Sequence, residues 1–267
     1  MIQEIAPRKL DNSYKPRDPK NGDYVFSYSG SQIITKPDRT FFRYEECSHS
    51  GEYIYLFAID DTAFYLADLH SLPHAVMSTQ EIRTYEPKYL GFAAITGWQL
   101  YGWMNDNRFC GRCGTAMIPD EKERAMRCPS CGNIVYPRIN PAVIVGIKND
   151  KDQLLVTKYA GGSYHKYALV AGYTEIGETI EETVIREVKE ETGLDVTDIE
   201  YDRCQPWSFT STLLFGFWCR TSGSDEIHMD KSELRLARWA DREEELPTGS
   251  DASLTSYMIN KFLKGLA

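Results

Sequence analysis

The stretch that decides the fold runs from Gly172 to Leu194 and reads GYTEIGETIEETVIREVKEETGL. Thr179 is followed three positions later by Glu182, a spacing that predicts a capping box at the start of a helix. Gly193 suits the position just past the last helical residue, where a left-handed backbone ends a helix. We therefore expect a helix over residues 180–192.

This helix carries an apolar stripe and a cluster of carboxylates. The stripe recurs every fourth position, at Ile180, Val184 and Val188. Glu187, Glu190 and Glu191 fall within one turn, so their carboxylates share one sector of the surface. Each like-charge pair at such spacing costs roughly 0.2–0.5 kcal/mol, unless cations sit there. Because Mg²⁺ accepts a few carboxylates together with phosphate oxygens, the cluster predicts a phosphate-bearing substrate bound through metal. The alternative is that the cluster is only a solvated acidic face of the helix.

Composition limits the classes of protein to consider. The chain has 267 residues, 42% of them apolar, which is enough to bury a core and to form two domains with a small third module. A formal net charge of −9 offers no basic field for long nucleic-acid backbones, so DNA is not an expected partner. Neither a signal peptide nor a membrane helix is predicted, and we expect a cytoplasmic location.

Four of the seven cysteines form a compact pattern, CGRCG and CPSCG with fourteen residues between the pairs: Cys110, Cys113, Cys128 and Cys131. Two CxxC pairs at this separation can bring four thiolates into the tetrahedral arrangement that zinc accepts, so we predict a structural Zn²⁺ site. The odd total fits a reducing compartment. The alternatives are reduced cysteines without metal and a nucleic-acid-binding ribbon, although PDEKERAMR between the pairs has no continuous basic face.

The rest of the chain predicts two larger domains around this ribbon. Residues 1–104 contain β-type runs such as YIYLFAI and AFYLADL and end in KYLGFAAITGWQLYGWM, which has helical spacing. We predict a β-rich N-terminal domain with a helical connector, a four-cysteine zinc ribbon over 105–135, and an α/β catalytic domain over 136–267. In the last, PAVIVGIKNDKDQLLVTKY reads as two strands and STLLFGFWCRT as another.

The stretch around the glutamate helix resembles the Nudix box, G-x5-E-x7-R-E-x-x-E-E-x-G followed by an apolar residue. Its fixed positions are occupied by Gly172, Glu178, Arg186, Glu187, Glu190, Glu191, Gly193 and Leu194. The resemblance implies a Nudix α/β/α sandwich with a mixed sheet. It also implies hydrolysis of a nucleoside diphosphate linked to another group, with Mg²⁺ or Mn²⁺ held by the glutamates.

Roles within the box can be divided. The expected ligands of the catalytic metal are Glu187, Glu190 and Glu191. One of these, or a neighbouring glutamate such as Glu178, is the candidate to accept a proton from the attacking water. We expect Arg186 to be structural and to pair with Glu182 or Glu190, four residues away on either side.

A second stretch, CQPWSFTSTLL from Cys204 to Leu214, resembles the S-Q-P-W-P-F-P-x-S signature that follows the Nudix box in NADH pyrophosphatases. The signature is retained at Gln205, Pro206, Trp207 and Phe209, whereas it is altered at Cys204, Ser208, Thr210 and Thr212. Losing both inner prolines should leave the loop less preorganised. Zinc ribbon, Nudix box and signature follow one another in the order of that subfamily.

The resemblance implies further site residues. The expected substrate-binding set is Tyr136, Tyr173, Gln205, Trp207, Phe209, Thr212 and Glu233. The tyrosines stand where the family contacts bases, although either could be a core residue. Glu233 matches a family glutamate near the metal, so it is a further expected ligand of Mg²⁺ or Mn²⁺. Thr255 replaces a family alanine, which alters the expected nicotinamide pocket. His165 is left out of the catalytic set, since a lone loop histidine is usually just exposed.

On this resemblance the chain should hydrolyse the pyrophosphate of NADH or NAD⁺ to AMP and nicotinamide mononucleotide, and could also remove NAD caps from RNA 5′ ends. Two alternatives remain open. One is a Nudix hydrolase for another substrate, such as ADP-ribose or a dinucleoside polyphosphate; the other is a non-catalytic nucleotide-binding module. The family usually forms homodimers, so a homodimer is expected here.

Overall fold

A computed structural model describes residues 1–47, 51–161, 166–250 and 252–267. These residues form two compact units, one comprising Ile2–Arg138 and Ser208–Thr210, the other comprising Met1, Ile139–Trp207 and Ser211–Ala267. His165 lies outside the described residues. Within the described ranges, no helix is both long enough and apolar enough to cross a membrane.

Among the described residues, the sheets of the N-terminal unit contain the strands β1 (Leu10–Asp11), β2 (Tyr24–Phe26), β3 (Tyr28–Ser29), β4 (Gln32–Thr35), β5 (Phe42–Arg43), β6 (Ile54–Ile59), β7 (Thr62–Leu66) and β8 (Ala75–Ser78). They form a five-stranded sheet, β1-β6-β7-β2-β5, and a three-stranded sheet, β3-β4-β8. Phe26, Phe57 and Phe64, which lie on strands of the five-stranded sheet, are fully buried. The predicted β-rich N-terminal region is confirmed.

The predicted connector is the helix α1 (Lys88–Asp106). Its glycine at position 97 allows a close approach, because an added Cβ would lie 2.6 Å from the Tyr28 hydroxyl oxygen. That hydroxyl donates a 2.7 Å hydrogen bond to the Ala94 carbonyl of the helix. Three short strands follow in the ribbon, β9 (Ile118–Pro119), β10 (Met126–Arg127) and β11 (Ile134–Val135), with β10 in the middle.

The C-terminal unit is built on a six-stranded mixed sheet. Its elements are β12 (Asn140–Lys148), β13 (Leu154–Tyr159), β14 (Val170–Tyr173), α2 (Ile180–Thr192), β15 (Val196–Trp207), β16 (Thr212–Thr221), β17 (Leu234–Ala240) and α3 (Leu254–Leu263). The strand order is β15-β16-β12-β13-β17, and β14 also pairs with β12. Only β12 and β16 run parallel among the described pairs of this sheet.

The two helices cover opposite faces of the central strand. Alternate residues of β12 point to opposite sides, as a pleated strand requires. Val143, Val145 and Ile147 pack in one apolar cluster with Val184 and Val188 of α2. The intervening Ile144 belongs to a second cluster, which contains Leu254, Met258, Ile259 and Phe262 of α3. This arrangement confirms the predicted α/β/α sandwich.

Candidate active site

The glutamate helix has the bounds that its sequence predicts. Glu182 N–H donates to Thr179 Oγ1 at 3.2 Å, and Thr179 N–H donates to Glu182 Oε2 at 2.8 Å, which completes the capping box. Gly193 ends the helix with a left-handed backbone, at φ 73°. Arg186 pairs with Glu190, one of its two predicted partners. The carboxylate of the other predicted partner, Glu182, takes part in the capping box instead.

Arg186 joins three carboxylates and one backbone carbonyl. Its Nε donates to Glu178 Oε1 at 2.5 Å and its Nη2 to Glu178 Oε2 at 3.0 Å. Nη1 donates to Glu187 Oε1 at 2.8 Å and to Glu190 Oε2 at 3.0 Å. Nη2 also donates to the Tyr173 carbonyl at 2.8 Å. The guanidinium therefore ties the loop before the helix to two of the predicted metal ligands, in keeping with a structural role.

Burial separates the three helix glutamates. Glu190 is exposed, whereas Glu187 and Glu191 are buried, so a merely solvated acidic face does not describe the cluster. Burial raises the pKa of Glu187, although its hydrogen bond from Arg186 opposes the shift. The hydrogen bonds from Arg186 instead lower the pKa of Glu178 to about 2. Two carboxylates in one cluster thus have opposite protonation preferences.

Glu191 is the most perturbed group of the cluster. Burial raises its pKa to about 8, and the negative charges of Glu187, Glu233 and Asp230 act in the same direction. Its Oε1 accepts a 3.3 Å hydrogen bond from Ala171 N–H. Its Oε2 is buried with no hydrogen-bond partner among the described residues. Such an oxygen, among further carboxylates, suits a divalent cation, which would supply the missing ligand and favour the ionised form.

Gly172 explains how Glu187 comes so close to the sheet. A Cβ at this position would lie 1.8 Å from Glu187 Cδ and 2.1 Å from each carboxylate oxygen. Gly172 is paired with Val143 of the central strand. Any larger residue would therefore expel the carboxylate from its place between α2 and β14. Glu187 can occupy this place only because residue 172, at the start of the Nudix box, is a glycine.

Two residues beyond the helix belong to the same electrostatic cluster. Glu233, which the sequence resemblance singled out, is exposed, and its charge raises the pKa values of both Glu187 and Glu191. Asp230, which we did not predict, acts on Glu191, and its N–H donates to the Glu191 carbonyl at 2.9 Å. The sequence feature that could have indicated Asp230 is its position three residues before Glu233.

Tyr136 and Tyr173, the two tyrosines predicted to contact bases, are both about half exposed. Neither is therefore a core residue, which was the alternative interpretation. Tyr173 lies on β14 next to Gly172, and its Oη is 3.4 Å from Thr212 Oγ1. Tyr136 belongs to the other compact unit, where its hydroxyl donates to Glu123 Oε1 at 2.9 Å. Tyr173 and Thr212 therefore share the unit that carries the glutamate helix.

The signature stretch, residues 204–214, is divided between the two compact units, because Ser208–Thr210 belong to the N-terminal unit. Trp207 is partly exposed at the end of β15, and Phe209 lies in a 3-10 turn that groups with the N-terminal unit. There the Arg83 guanidinium carbon stands 4.6 Å from the centre of the Phe209 ring. Gln205 is fully buried, and its amide bonds to the backbone of residues 252 and 254. The predicted part of Gln205 in substrate binding stays a prediction, and its burial favours an indirect part over direct contact.

The four cysteines converge as predicted. The sulfur of Cys113 lies 3.5 Å from those of Cys128 and Cys131, and the sulfurs of Cys110 and Cys131 are 3.6 Å apart. Four ligands at the usual Zn–S distance of about 2.3 Å stand roughly 3.8 Å apart at tetrahedral corners, so the set fits zinc. Among the described residues, this is the only group of three or more candidate ligand atoms within 4.8 Å of one another.

Comparisons with known proteins agree with this geometry. Residues 105–136 match the family model for the NADH pyrophosphatase zinc ribbon domain, and residues 138–258 match the NUDIX domain model. An NAD-capped RNA hydrolase NudC from Pseudomonas fluorescens (strain Pf0-1) is 33% identical over 215 residues, covering 77% of this chain and 75% of that protein. The chain therefore belongs to the Nudix hydrolase family, in the branch that carries the NADH pyrophosphatase zinc ribbon.

Two further relatives show how much of the chain is matched. An NAD-capped RNA hydrolase NudC from Pseudomonas aeruginosa (strain LESB58) is 36% identical over 174 residues, which cover 65% of this chain and 60% of that protein's length. A crystal structure of a NUDIX hydrolase from Nitrosomonas europaea is 26% identical in sequence, with a TM-score of 0.47. The match covers 58% of this chain and 90% of the Nitrosomonas europaea chain. Membership of the Nudix family implies a divalent metal.

Proposed function

We propose that the chain hydrolyses the pyrophosphate bond of NADH or NAD⁺, releasing AMP and nicotinamide mononucleotide. The observation that carries this proposal is the buried Glu191 oxygen without a hydrogen-bond partner among the described residues, set among the charges of Glu187, Glu233 and Asp230. The names of the curated relatives support an NAD-derived substrate. Because NAD-capped RNA carries the same pyrophosphate bond, we also propose that the chain removes NAD caps.

The chain's own carboxylates would hold the catalytic cation. The proposed ligands are Glu187, Glu190, Glu191 and, at the exposed edge, Glu233. When bound, Mg²⁺ or Mn²⁺ would polarise the phosphoryl oxygens and neutralise the charge that develops on them. Arg186 would keep Glu187 and Glu190 aligned through its hydrogen bonds.

The proton of the attacking water needs an acceptor among these carboxylates. Glu178 is a poor candidate, because Arg186 donates hydrogen bonds to both of its oxygens and lowers its pKa to about 2. We therefore propose Glu187 or Glu191, whose pKa values are raised by burial, as the acceptor. Glu178 would instead orient Arg186.

The substrate's bases would contact exposed aromatic rings. Tyr173 is adjacent to the glutamate helix through its carbonyl bond to Arg186, so its ring is the first candidate. Stacking of a base on such a ring contributes about 1–3 kcal/mol by substitution and tolerates different bases. Trp207 and Thr212, which lie in the same unit as Tyr173, remain proposed members of the substrate site. Tyr136 and Phe209 remain predictions from the sequence resemblance.

Several broader predictions accompany this function. We propose that residues 1–104, 105–135 and 136–267 act as an N-terminal domain, a zinc ribbon and a catalytic domain; the limits of the two family matches support the last two. A homodimer and a cytoplasmic location also remain predictions.

A substrate panel tests the proposal. Purified protein would be incubated with NADH, NAD⁺, ADP-ribose, diadenosine tetraphosphate and NAD-capped RNA, each with Mg²⁺ or Mn²⁺, and the products separated by chromatography. We expect AMP and the mononucleotide from NADH or NAD⁺, and loss of both in a Glu190→Gln variant. Absence of cleavage with every substrate and metal would contradict the proposal and favour a non-catalytic nucleotide-binding module.

A Nudix hydrolase for another nucleoside diphosphate derivative is the second candidate. The observation in its favour is the altered signature, in which Ser208 and Thr210 replace prolines and Ser208 is buried in the turn. Preferential cleavage of ADP-ribose or of the dinucleoside polyphosphate in the same panel would select this candidate. The two functions share the glutamate site, so Glu190→Gln should abolish either activity.

A further inference from the structure

Gln205 joins the last part of β15 to the beginning of α3 inside the C-terminal unit. Its Nε2 donates a 2.7 Å hydrogen bond to the Ala252 carbonyl, and Leu254 N–H donates a 2.6 Å hydrogen bond to its Oε1. The side chain is fully buried. The Gln205 amide therefore bonds both Ala252, just before the helix, and Leu254, the first residue of the helix. We call this place, where Gln205 meets the start of α3, the corner.

Two side chains accept hydrogen bonds from the first N–H groups of α3. The first N–H groups of a helix have no partner within the helix and need one from outside. Ser253, the N-cap, accepts a hydrogen bond from Ser256 N–H at 3.2 Å, and Gln205 accepts the one from Leu254. Leu254 is also fully buried. Without Gln205, a buried N–H would lack its partner and the entry of the chain into α3 would be less well fixed.

On the strand side, Gln205 lies close to the proposed substrate site. Two residues further along β15, Trp207 is paired with Thr212 of β16. The Thr212 hydroxyl oxygen is 3.4 Å from Tyr173 Oη, and the Tyr173 carbonyl accepts a hydrogen bond from Arg186. A continuous series of contacts therefore leads from the start of α3, through β15, β16 and β14, to the guanidinium that aligns the glutamates.

Other contacts also attach α3 to β15, one of them at the far end of the helix. Asp202 accepts a 2.5 Å hydrogen bond from Lys261 Nζ near the end of the helix. The guanidinium carbon of Arg203 stands 3.7 Å from the centre of the Tyr257 ring. Loss of the Gln205 bonds should consequently loosen the start of α3 and the end of β15 while the helix stays docked through its later turns.

We propose that Gln205 is a positioning residue, which sets the place of Trp207 beside Thr212 and Tyr173 in the proposed substrate site. This inference rests on the proposed function and assigns Gln205 a part in substrate affinity without contact to the substrate. Displacement of a substrate-positioning group by about 1 Å can cost on the order of 100-fold in catalytic efficiency, so a buried amide can influence a site that it does not touch.

The test compares two variants of the full-length protein. Gln205→Met keeps a similar side-chain volume but removes both hydrogen bonds, and Lys261→Met removes the ion pair at the other end of α3. We expect Gln205→Met to raise KM for NADH about tenfold with kcat changed less than about threefold, the signature of lost binding rather than lost chemistry. Lys261→Met should lower the unfolding temperature but leave KM within about twofold.

A third variant keeps the test decisive if Gln205→Met does not fold. Ser253→Ala removes the N-cap hydroxyl from the helix side of the same corner and leaves Gln205 in place. We expect a smaller rise in KM for NADH, again with kcat nearly unchanged. An unchanged KM in both folded corner variants would overturn the inference, as would an equal rise in KM for Lys261→Met.

Activity of the wild-type protein separates this inference from the proposed function. If wild-type protein prefers another substrate of the panel, KM is compared on that substrate and the expected pattern is the same. If wild-type protein cleaves the dinucleotide but the corner variants bind it normally, only the role of Gln205 fails. If wild-type protein cleaves nothing, the proposed function fails, and the positioning role fails with it.

Discussion

Gly172 and Glu187 occupy a space that only one side chain can fill. Gly172 is held by its pairing with Val143 on the central strand, so the backbone there has little freedom to retreat. The Glu187 carboxylate fills the space where a Cβ would otherwise stand. An alanine would therefore move the carboxylate and break its bond with Arg186, whereas the strand would stay in place.

We expect Gly172→Ala to lower kcat/KM for the substrate that the wild type cleaves by about 100-fold or more, because a predicted metal ligand is displaced. Gly102→Ala is the matched control, since nothing lies within 4 Å of its Cβ position in α1. It should retain activity and gain roughly 0.5–1 kcal/mol in free energy of unfolding. Steady-state kinetics and urea unfolding give both quantities; wild-type kinetics in Gly172→Ala would show that the observed place of Glu187 is not required.

Glu191 links the cluster to pH. Its pKa of about 8 in the folded protein lies above the ordinary value of 4.5, chiefly because of burial. Between these two values the folded protein holds a proton that the unfolded chain releases. The free energy of unfolding must then fall as pH rises through this window, from about 4.5 to about 8.

Without added divalent cation, we expect wild-type protein to lose about a few kcal/mol of unfolding free energy between about pH 5 and pH 8 from this group. Glu191→Gln should flatten that slope, because a neutral amide has no proton to release. Glu181→Gln, an exposed position in the first turn of α2, serves as the control and should retain the wild-type slope. Urea unfolding at several pH values measures it; equal slopes for wild type and Glu191→Gln would contradict the burial argument.

At the scale of elements, the ribbon depends on two equivalent turns. In each, the carbonyl of the first cysteine accepts a hydrogen bond from the glycine that follows the pair, at 2.8 Å for Cys110 and Gly114 and 3.0 Å for Cys128 and Gly132. Both glycines have left-handed backbones, with φ of 74° and 70°. The ribbon strands have only two residues each, too few to hold these turns together without a metal.

The protein should contain about one zinc per chain, bound by the four thiolates. Cys113→Ala should lose this zinc, and the ribbon should become sensitive to protease because its folding energy comes largely from the metal. Cys204→Ser, at an exposed cysteine outside the ribbon, should keep both zinc and resistance. Elemental analysis with limited proteolysis distinguishes them; full zinc occupancy in Cys113→Ala would remove that residue from the ligand set.

At the scale of the whole molecule, charge decides how a long substrate could bind. The chain has 30 basic and 39 acidic residues, a formal net charge of −9. Affinity for a nucleic-acid backbone comes mostly from basic side chains that release counterions, which makes it strongly dependent on salt. An RNA body should therefore add little affinity beyond that of its NAD cap.

We expect KM for an NAD-capped RNA to change less than about threefold between about 50 and 200 mM salt, whereas a protein with about 6–10 phosphate contacts loses about 10³–10⁵ in affinity. Capped RNAs of about 5 and 40 nucleotides should have similar KM values for the same reason. Capped-RNA hydrolysis at a series of salt concentrations measures both, with NADH as the reference. A steep salt dependence found only with the longer RNA would reveal a basic surface that the net charge conceals.

The sequence by itself determined the features that depend on neighbouring residues. The bounds of α2, its capping box and the left-handed Gly193 follow from local backbone preferences. The four zinc ligands follow from two CxxC turns, each of which orients its own sulfurs, and the strands of the sandwich follow from runs of apolar residues. Such patterns carry their own structural meaning because the interactions that enforce them span only a few residues.

Only the tertiary structure decided which distant groups meet. It made Gln205 a buried link to α3, gave Arg186 the partners Glu178 and Glu187 as well as Glu190, and brought Asp230 to the cluster. It also placed the Gly172 backbone against a carboxylate fifteen residues away. Burial and contact of this kind depend on how helices and strands pack, because packing, and not spacing along the chain, sets which groups lose water and which find partners.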